Sequence, residues 1–290
     1  MRIGIYGREF EPEFRAPISA MLEDLLKRNI ELVVHDSFID YLHRSLESPH
    51  SLAPFSDSEV ASLDMLISIG GDGTILSAIS VIRDSGVPIL GVNTGRLGFL
   101  SNFPVEELHG IADALESGEY DLDERALLSV EANGKPLGNF SYALNEVTLH
   151  KKDTSSMITV HAWIDDRFMN SYWADGLIVS TATGSTAYSL SCGGPIVMPG
   201  SENILLTPIA PHNLNVRPMV VPNKNSVRLR AEGRDSHFLL TLDSTAFTVD
   251  GATDVHISRA NFDVKLVILP GYHFFNTIRQ KLSWGIDKRN

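Results

Sequence analysis

The apolar run Leu63-Asp64-Met65-Leu66-Ile67-Ser68-Ile69 stops at Gly70-Gly71-Asp72-Gly73-Thr74, and this junction constrains the fold more than any other stretch of the chain. The run has the length and β-branched content of a buried strand. The glycines after it let the backbone turn sharply and come close to a ligand. In an open α/β sheet, ligands bind in the crevice at the carboxyl ends of the strands. A carboxylate there, among glycine N–H groups able to face phosphate oxygens, is arranged for nucleotide chemistry. A tight surface turn with a solvated aspartate is the plainer alternative.

The surrounding sequence extends the α/β pattern. Strands are expected at Arg2–Tyr6, Glu31–His35, Met65–Ile69 and Pro88–Val92. Pro17–Asn29 places Ile18, Met21, Leu22, Leu25 and Leu26 at helical spacing, and Thr74–Ser85 does the same with Ile75, Leu76, Ile79 and Ile82. This alternation predicts a parallel sheet with helices on its faces. Ser45–Ser58, rich in Ser and Pro, reads as a flexible loop. Beyond about Tyr120 the period changes to two. Met157–Ile164 alternates and turns at Asp165-Asp166, while Glu232–Asp235 and Asp250-Gly251 read as the turns of two further hairpins. Phe274–Trp284 returns to helical spacing. The expectation is an α/β domain over residues 1–120, with 270–290 packing back onto it, and a strand-rich, sandwich-like antiparallel domain over 121–269.

Composition narrows the partners. A formal net charge of −12 argues against a nonspecific nucleic-acid binder, and no apolar stretch approaches the length of a membrane span. Met1–Gly7 reads as a first strand rather than a secretory signal, and Cys192 is the single cysteine, so the expected compartment is the cytoplasm. From Asn29 to Gly134 there is no lysine. A phosphate near Asp72 is therefore expected to rest on backbone N–H groups and a divalent cation more than on side-chain cations.

Three more polar clusters interrupt apolar sequence. Gly91–Leu100 offers two turn glycines and the flat face of Phe99, either for stacking or as part of a buried turn. Asn145-Glu146 combines amide and carboxylate, a set suited to ribose hydroxyls or a base edge. Asp175 opens the strand-like Gly176–Ser180, and Thr181-Ala182-Thr183-Gly184-Ser185-Thr186-Ala187-Tyr188-Ser189-Leu190-Ser191 follows it. That hydroxyl-rich loop offers short donors and acceptors for a nucleoside, unless it is simply a solvated loop. No P-loop, no Gly-x-Gly-x-x-Gly fingerprint after a strand and no nucleophile elbow is present, and the histidines lack metal-ligand spacing.

In this order the four motifs closely resemble the bacterial NAD kinase family, and the likeness runs on through Gly193-Gly194-Pro195, Pro211-His212, Arg217-Pro218 and Phe275-Asn276-Thr277. The Gly-Gly-Asp-Gly-Thr element alone is shared with diacylglycerol and sphingosine kinases and with phosphofructokinases; the Asp175–Ser191 block narrows the reading. The resemblance implies ATP-dependent phosphorylation of the 2′-hydroxyl on the adenosine ribose of NAD. It implies Asp72 as general base, a weak one that suffices where positioning and electrostatics carry a loose transition state. It implies NAD contacts at Asp72, Gly73, Asn145, Glu146, Asp175, Thr186, Ala187, Tyr188, Ser189, Leu190, Ser191 and Ala210, with Phe99, Trp173 and Thr245 as further positions. Trp173 stands where many relatives carry a basic residue, Thr245 where glutamine is frequent, and Ala182 where proline is usual. The implied partners are NAD, ATP or another phosphoryl donor, and a divalent cation, magnesium with ATP, rather than a metal held by protein side chains alone. A homodimer or homotetramer is implied as well. The alternatives are a lipid kinase of the diacylglycerol type, which would want an apolar slot, and a noncatalytic NADP-binding sensor.

Overall fold

A computed structural model describes residues 1–46, 52–101, 103–152, 156–234 and 236–283. The chain divides into two compact units, Met1–Glu124 with Val264–Asn290, and Arg125–Asp263.

The first unit is built on parallel strands β1 (Arg2–Gly7), β2 (Glu31–His35), β3 (Ala53–Phe55), β4 (Met65–Ile69), β5 (Ile89–Asn93) and β6 (Phe103–Pro104). They run in the order β3-β2-β1-β4-β5, and β5 also pairs with β6 and, at Leu266, with the end of the last strand of the chain. All these pairings are parallel. Every residue of β4 and β5 is buried, which is why these segments read as unbroken apolar runs. Helices α1 (Arg15–Lys27), α2 (Asp36–Ser45), α3 (Asp72–Ile82) and α4 (Ile111–Ser117) connect the strands, and a C-terminal helix, Phe274–Leu282, closes the unit. One core takes Ile3 and Ile5 from β1, Met65 and Ile67 from β4, Leu90 from β5 and Ile18, Met21, Leu22 and Leu25 from α1. The strand order reverses between β1 and β4, so the carboxyl ends of these two strands flank a topological switch point.

Two readings of this unit change. The helix α2 is not anticipated by the apolar spacing, because it buries only Phe38 and Leu42. The loop expected at Ser45–Ser58 is in part ordered: β3 pairs with β2, and Ser56 and Glu59 form a capping box at the 3-10 turn Asp57–Ser62. Residues 47–51 of that loop lie outside the described residues.

The second unit is a sandwich of antiparallel sheets. It comprises β7 (Asp121–Ala132, entering from the first unit), β8 (Lys135–Pro136), β9 (Tyr142–Ala143), β10 (Glu146–Lys151), β11 (Ile158–Ile164), β12 (Arg167–Ala174), β13 (Gly176–Thr181), β14 (Asn203–Ile209), β15 (Met219–Pro222), β16 (Val227–Glu232), β17 (His237–Leu242), β18 (Thr245–Asp250) and β19 (Val255–Ile268). One sheet runs β12-β11-β16-β19, with β7 beside β19; the other runs β15-β14-β13-β10-β17-β18. Side chains from both sheets meet in one core that includes Val160, Ala162, Leu229, Val147, Leu149, Val179 and Leu240.

The hairpin at Asp165-Asp166 forms as expected, with φ of 46° and 62° at the two residues and β11 paired to β12. The other two expected hairpins do not. β16 pairs with β11 and β19, whereas β17 pairs with β10 and β18, so Glu232–Asp235 joins strands of different sheets; Asp235 itself lies outside the described residues. Asp250-Gly251 likewise leads from β18 in one sheet to β19 in the other. Turn chemistry marks where a chain bends but not whether the flanking strands pair. β17 instead forms a hairpin with β18 through Asp243-Ser244, with Leu242 opposite Thr245 and Asp243 at φ 48°.

Candidate active site

In the first unit, Gly70 leaves β4 at φ 151°, where a side chain would be strained and a Cβ would fall 2.2 Å from Thr74 Oγ1. The turn delivers Asp72 to the first residue of α3. The Asp72 carboxylate then receives three successive main-chain N–H groups: Phe99 donates to Oδ2 at 2.9 Å, and Leu100 and Ser101 donate to Oδ1 at 3.0 and 2.9 Å. The loop that supplies them is braced by Asn93. Its Nδ2 donates to the carbonyls of Arg96 and Ser101, its Oδ1 accepts from the Gly95 N–H, and the Ser101 hydroxyl donates to the Gly70 carbonyl. Gly98 has no room for a side chain, since a Cβ would stand 1.9 Å from Asp72 Oδ1. The Gly70–Thr74 and Gly91–Leu100 clusters are thus one structure. Phe99 is half-buried, with its ring 6.3 Å from that of Phe274, so it is neither a core residue nor a freely offered face.

The lysine-free window does not describe the surroundings of Asp72. Lys281, from the C-terminal helix, brings Nζ to 3.9 Å from Asp72 Oδ2 and 4.7 Å from the centre of the Phe99 ring. Arg8, just past β1, donates to Ser77 Oγ at 2.8 Å, and Ser77 in turn donates to the Gly73 carbonyl. The chain folds both cations to this turn from outside the window. Gly71 and Gly73 have open space where a Cβ would be.

In the second unit, Asn145 and Glu146 sit at the start of β10, and the residue that holds them is one the motifs do not reveal. Asp243 accepts the N–H groups of Asn145 and Glu146 on Oδ1, at 2.9 and 3.0 Å, and that of Leu144 on Oδ2 at 2.8 Å. Its own N–H donates to the Glu146 carbonyl at 2.9 Å. Burial raises the Asp243 carboxyl above its ordinary value, against the pull of the three N–H groups. Glu146 is pushed up to about 8, first by burial, then by the charge of Asp243, with the Tyr188 N–H pulling the other way. Its Oε2 is buried without a hydrogen-bond partner among the described residues, as are the hydroxyls of Ser180, opposite it across the sheet, and of Thr148, two residues along the same face. Glu146 therefore carries its proton at neutral pH and can donate as well as accept.

The hydroxyl-rich loop is not a solvated one, since it turns several of its hydroxyl side chains to the protein. Thr181, Thr183, Ser185 and Ser189 are all buried. Thr181 Oγ1 donates to the Leu144 carbonyl, Thr183 receives Arg125, Ser185 bonds the main chain of Val197, and Ser189 bonds Thr207 at 2.8 Å. The short polar side chains tie the loop to its sheet, and of the expected contact set Ser189 points inward. Thr186 donates to the Thr183 carbonyl. Tyr188 and Ser191 are exposed, while Thr186, Ala187 and Leu190 are half-buried, so side chains at Tyr188 and Ser191 and the main chain are what this loop presents. The loop approaches Asn145 so closely that a Cβ at Gly184 would lie 2.0 Å from the Asn145 carbonyl oxygen.

Asp175 stands at the other end of β13, ion-paired to Lys151 at 2.5 Å. Burial raises the Tyr188 phenol, with Cys192 and the charge of Asp175 adding to it, and Tyr188 contacts Cys192, whose thiol is raised by burial. Near Asp175, Ala210 is exposed at φ 43° past β14, and Trp173 packs on His212 with ring centres 4.3 Å apart. Thr245 follows the Asp243-Ser244 turn that grips Asn145 and Glu146. The unit thus brings Asn145, Glu146, Thr245, Gly184 and Tyr188 together, with Asp175, Trp173 and Ala210 grouped at the far end of β13. No described helix is long and apolar enough to cross a membrane.

A parallel sheet with an aspartate at its switch point in one unit, and a half-buried amide–acid pair in a strand-rich second unit, fit a nucleotide-dependent phosphotransferase. Comparison with known proteins narrows the class. The ATP-NAD kinase N-terminal domain family matches residues 15–120 and the ATP-NAD kinase C-terminal domain family matches 144–269. The NAD kinase of Cytophaga hutchinsonii is 46% identical over 292 residues, and that of Christiangramia forsetii 42% over 294, in each case with the whole of both chains covered. Among solved structures, an NAD kinase from Archaeoglobus fulgidus in complex with ATP superposes with a TM-score of 0.74 at 26% identity, covering 98% of this chain and 99% of that one. Yeast NADH kinase complexed with NADH shares the fold, with a TM-score of 0.88 at 24% identity over 99% of this chain and 88% of that one. The chain belongs to the NAD kinase family.

Proposed function

We propose that the chain phosphorylates NAD at the 2′-hydroxyl of its adenosine ribose, with Asp72 accepting the hydroxyl proton. The observation that carries the catalytic assignment is the placement of Asp72: at the switch point of a parallel sheet, on the first residue of α3, with its carboxylate fixed by three N–H groups. A base whose position is fixed before the reaction suits phosphoryl transfer, where alignment and electrostatics do most of the work. Gly73, with open space at its Cα, supports close approach of a phosphate.

We read the first unit as the domain of the phosphate loop and the second as the NAD-binding domain. Glu146 in its protonated form donates to a ribose hydroxyl and Asn145 completes the pair, while Tyr188, Ser191, Asp175, Ala210 and the main chain of 186–190 line the nucleotide. Trp173, on His212, and Thr245, after the Asp243 turn, are the outer contacts, and Phe99 is a contact of the first unit. A divalent cation, magnesium in the first instance, accompanies ATP. The oxygens of Asp72 already take three N–H groups, and the described residues form no group of three or more His, Cys, Asp and Glu side chains around a common centre. In this reading the cation travels on the donor's own phosphates, where its charge offsets theirs. Cytoplasmic residence and a homodimer or homotetramer complete the proposal. Support for self-association comes from β15, whose Met219 and Val220 are exposed on a terminal strand of its sheet. Incubating the protein with NAD, ATP and magnesium should yield NADP; its absence under varied donors and metals would refute the reading.

A further inference from the structure

We propose that Lys281 binds the phosphates of the donor and neutralises the phosphoryl group as it moves toward the hydroxyl that Asp72 deprotonates. The inference rests on the assignment of Asp72 above and adds a residue to it.

The reacting groups pose a charge problem. A carboxylate base and a triphosphate repel each other when brought to one place, and the chain as a whole carries a formal −12. Between Asn29 and Gly134, the stretch that builds the Asp72 turn and its N–H donors, there is no lysine. The C-terminal helix supplies one. Thr277 and Ile278 are its buried residues and fix it to the unit. Lys281 lies three and four positions further on, one turn along the same face. Its stem is half-exposed and its Nζ lies over the Phe99 ring at 4.7 Å, within the range of a cation–π contact.

The length of the contact to Asp72 is the informative feature. At 3.9 Å from Oδ2, the ammonium faces the carboxylate without the short bond of a locked pair, about 2.8 Å. The three N–H groups of Phe99, Leu100 and Ser101 already satisfy Asp72, so Lys281 is not needed to hold it. Among the described residues Lys281 makes no other ion pair or hydrogen bond. A flexible ammonium parked beside the base, on an aromatic face and short of a tight bond, is placed to turn its N–H donors, with its charge kept, to a phosphate that arrives next to Asp72. Arg8 differs: its guanidinium is committed to Ser77.

The test uses the full chain with Lys281→Met and, as a second neutral variant, Lys281→Gln. Magnesium-ATP binding is measured by calorimetry without NAD, alongside steady-state kinetics. The expected result is that either variant weakens magnesium-ATP binding about 10-fold and lowers turnover by about 10-fold or more, with the KM for NAD within about twofold of the parent; Lys281→Arg restores most of the ATP affinity. Magnesium-ATP affinity within twofold of the parent in a folded neutral variant would overturn the inference, whatever happens to turnover, because Lys281 would then act only through Asp72. The two readings fail separately. If the parent chain makes no NADP yet its ATP affinity depends on Lys281, the NAD assignment falls and the phosphate role stands.

Discussion

Asp72 and Asp243 make the same bonds in different company. In the first unit Asp72 takes the N–H groups of Phe99, Leu100 and Ser101; in the second, Asp243 takes those of Leu144, Asn145 and Glu146. Each carboxylate uses one oxygen for two donors and the other for one, so each welds a distant turn to a three-residue segment. What differs is the neighbour. Asp72 keeps part of its side chain in solvent and has the ammonium of Lys281 at 3.9 Å. Asp243 is withdrawn beneath its segment and has, as its electrostatic neighbour, the buried acid Glu146. The same grip thus yields a reachable carboxylate beside a cation in one place and, in the other, a scaffold beneath a second acid whose proton is held first by burial and then by the Asp243 charge. The N–H groups set position; burial and the neighbouring charge set the chemistry.

The largest effect that would sharpen this contrast short of removing either aspartate is expected from Gly98→Ala. Its Cβ would fall 1.9 Å from Asp72 Oδ1, so the carboxylate must leave the three N–H groups or the loop must move. Turnover should fall about 100-fold with the KM for NAD little changed, the pattern of a displaced catalytic group. Unchanged turnover would mean that the grip on Asp72 is dispensable.

A smaller and pH-dependent effect is expected at Glu146. Its folded-state value near 8 lies above the ordinary 4.5, so its contribution to stability is complete below about 4.5 and is lost as pH rises through 8. Glu146→Gln carries no such loss. The variant should gain on the parent between pH 5 and pH 8, by on the order of 2 kcal/mol in urea denaturation. Its KM for NAD should also no longer rise above pH 8, where the parent gives up the donated proton. A stability difference that stays flat with pH would show that Asp243 and burial do not hold that proton in place.

The sequence made the local chemistry legible and left the long-range company hidden. The glycine turn, the β4 strand and the α/β alternation were readable because they rest on neighbours in the chain: apolar runs fully buried in β4 and β5, and a φ of 151° that wants glycine at Gly70. Asn145 and Glu146 stood out as polar residues in apolar strand sequence. Asp243 did not, because its role depends on the β10–β17 register that sets Asp243 beside Glu146. The one local signal was its place between two alternating strands as Asp-Ser, a two-residue turn overshadowed by the Gly-containing turns on either side. Lys281 was hidden for the same reason, since a helix at the far end of the chain returns it to Asp72. The hydroxyl-rich loop shows a third limit. Composition counts donors and acceptors but does not say which way they face, and Thr181, Thr183, Ser185 and Ser189 face the sheet.

The most direct test compares Asp72→Asn and Asp243→Asn in one assay of NADP formation with NAD affinity measured separately. Asp72→Asn should lower turnover by about 100-fold or more while NAD binds within about threefold of the parent, the signature of a lost base. Asp243→Asn replaces one acceptor oxygen by a donor facing the Leu144 N–H; it should weaken NAD binding about 10-fold and leave turnover within about threefold. Normal turnover in Asp72→Asn, or a collapse of turnover with intact NAD binding in Asp243→Asn, would contradict the division of labour between the two aspartates.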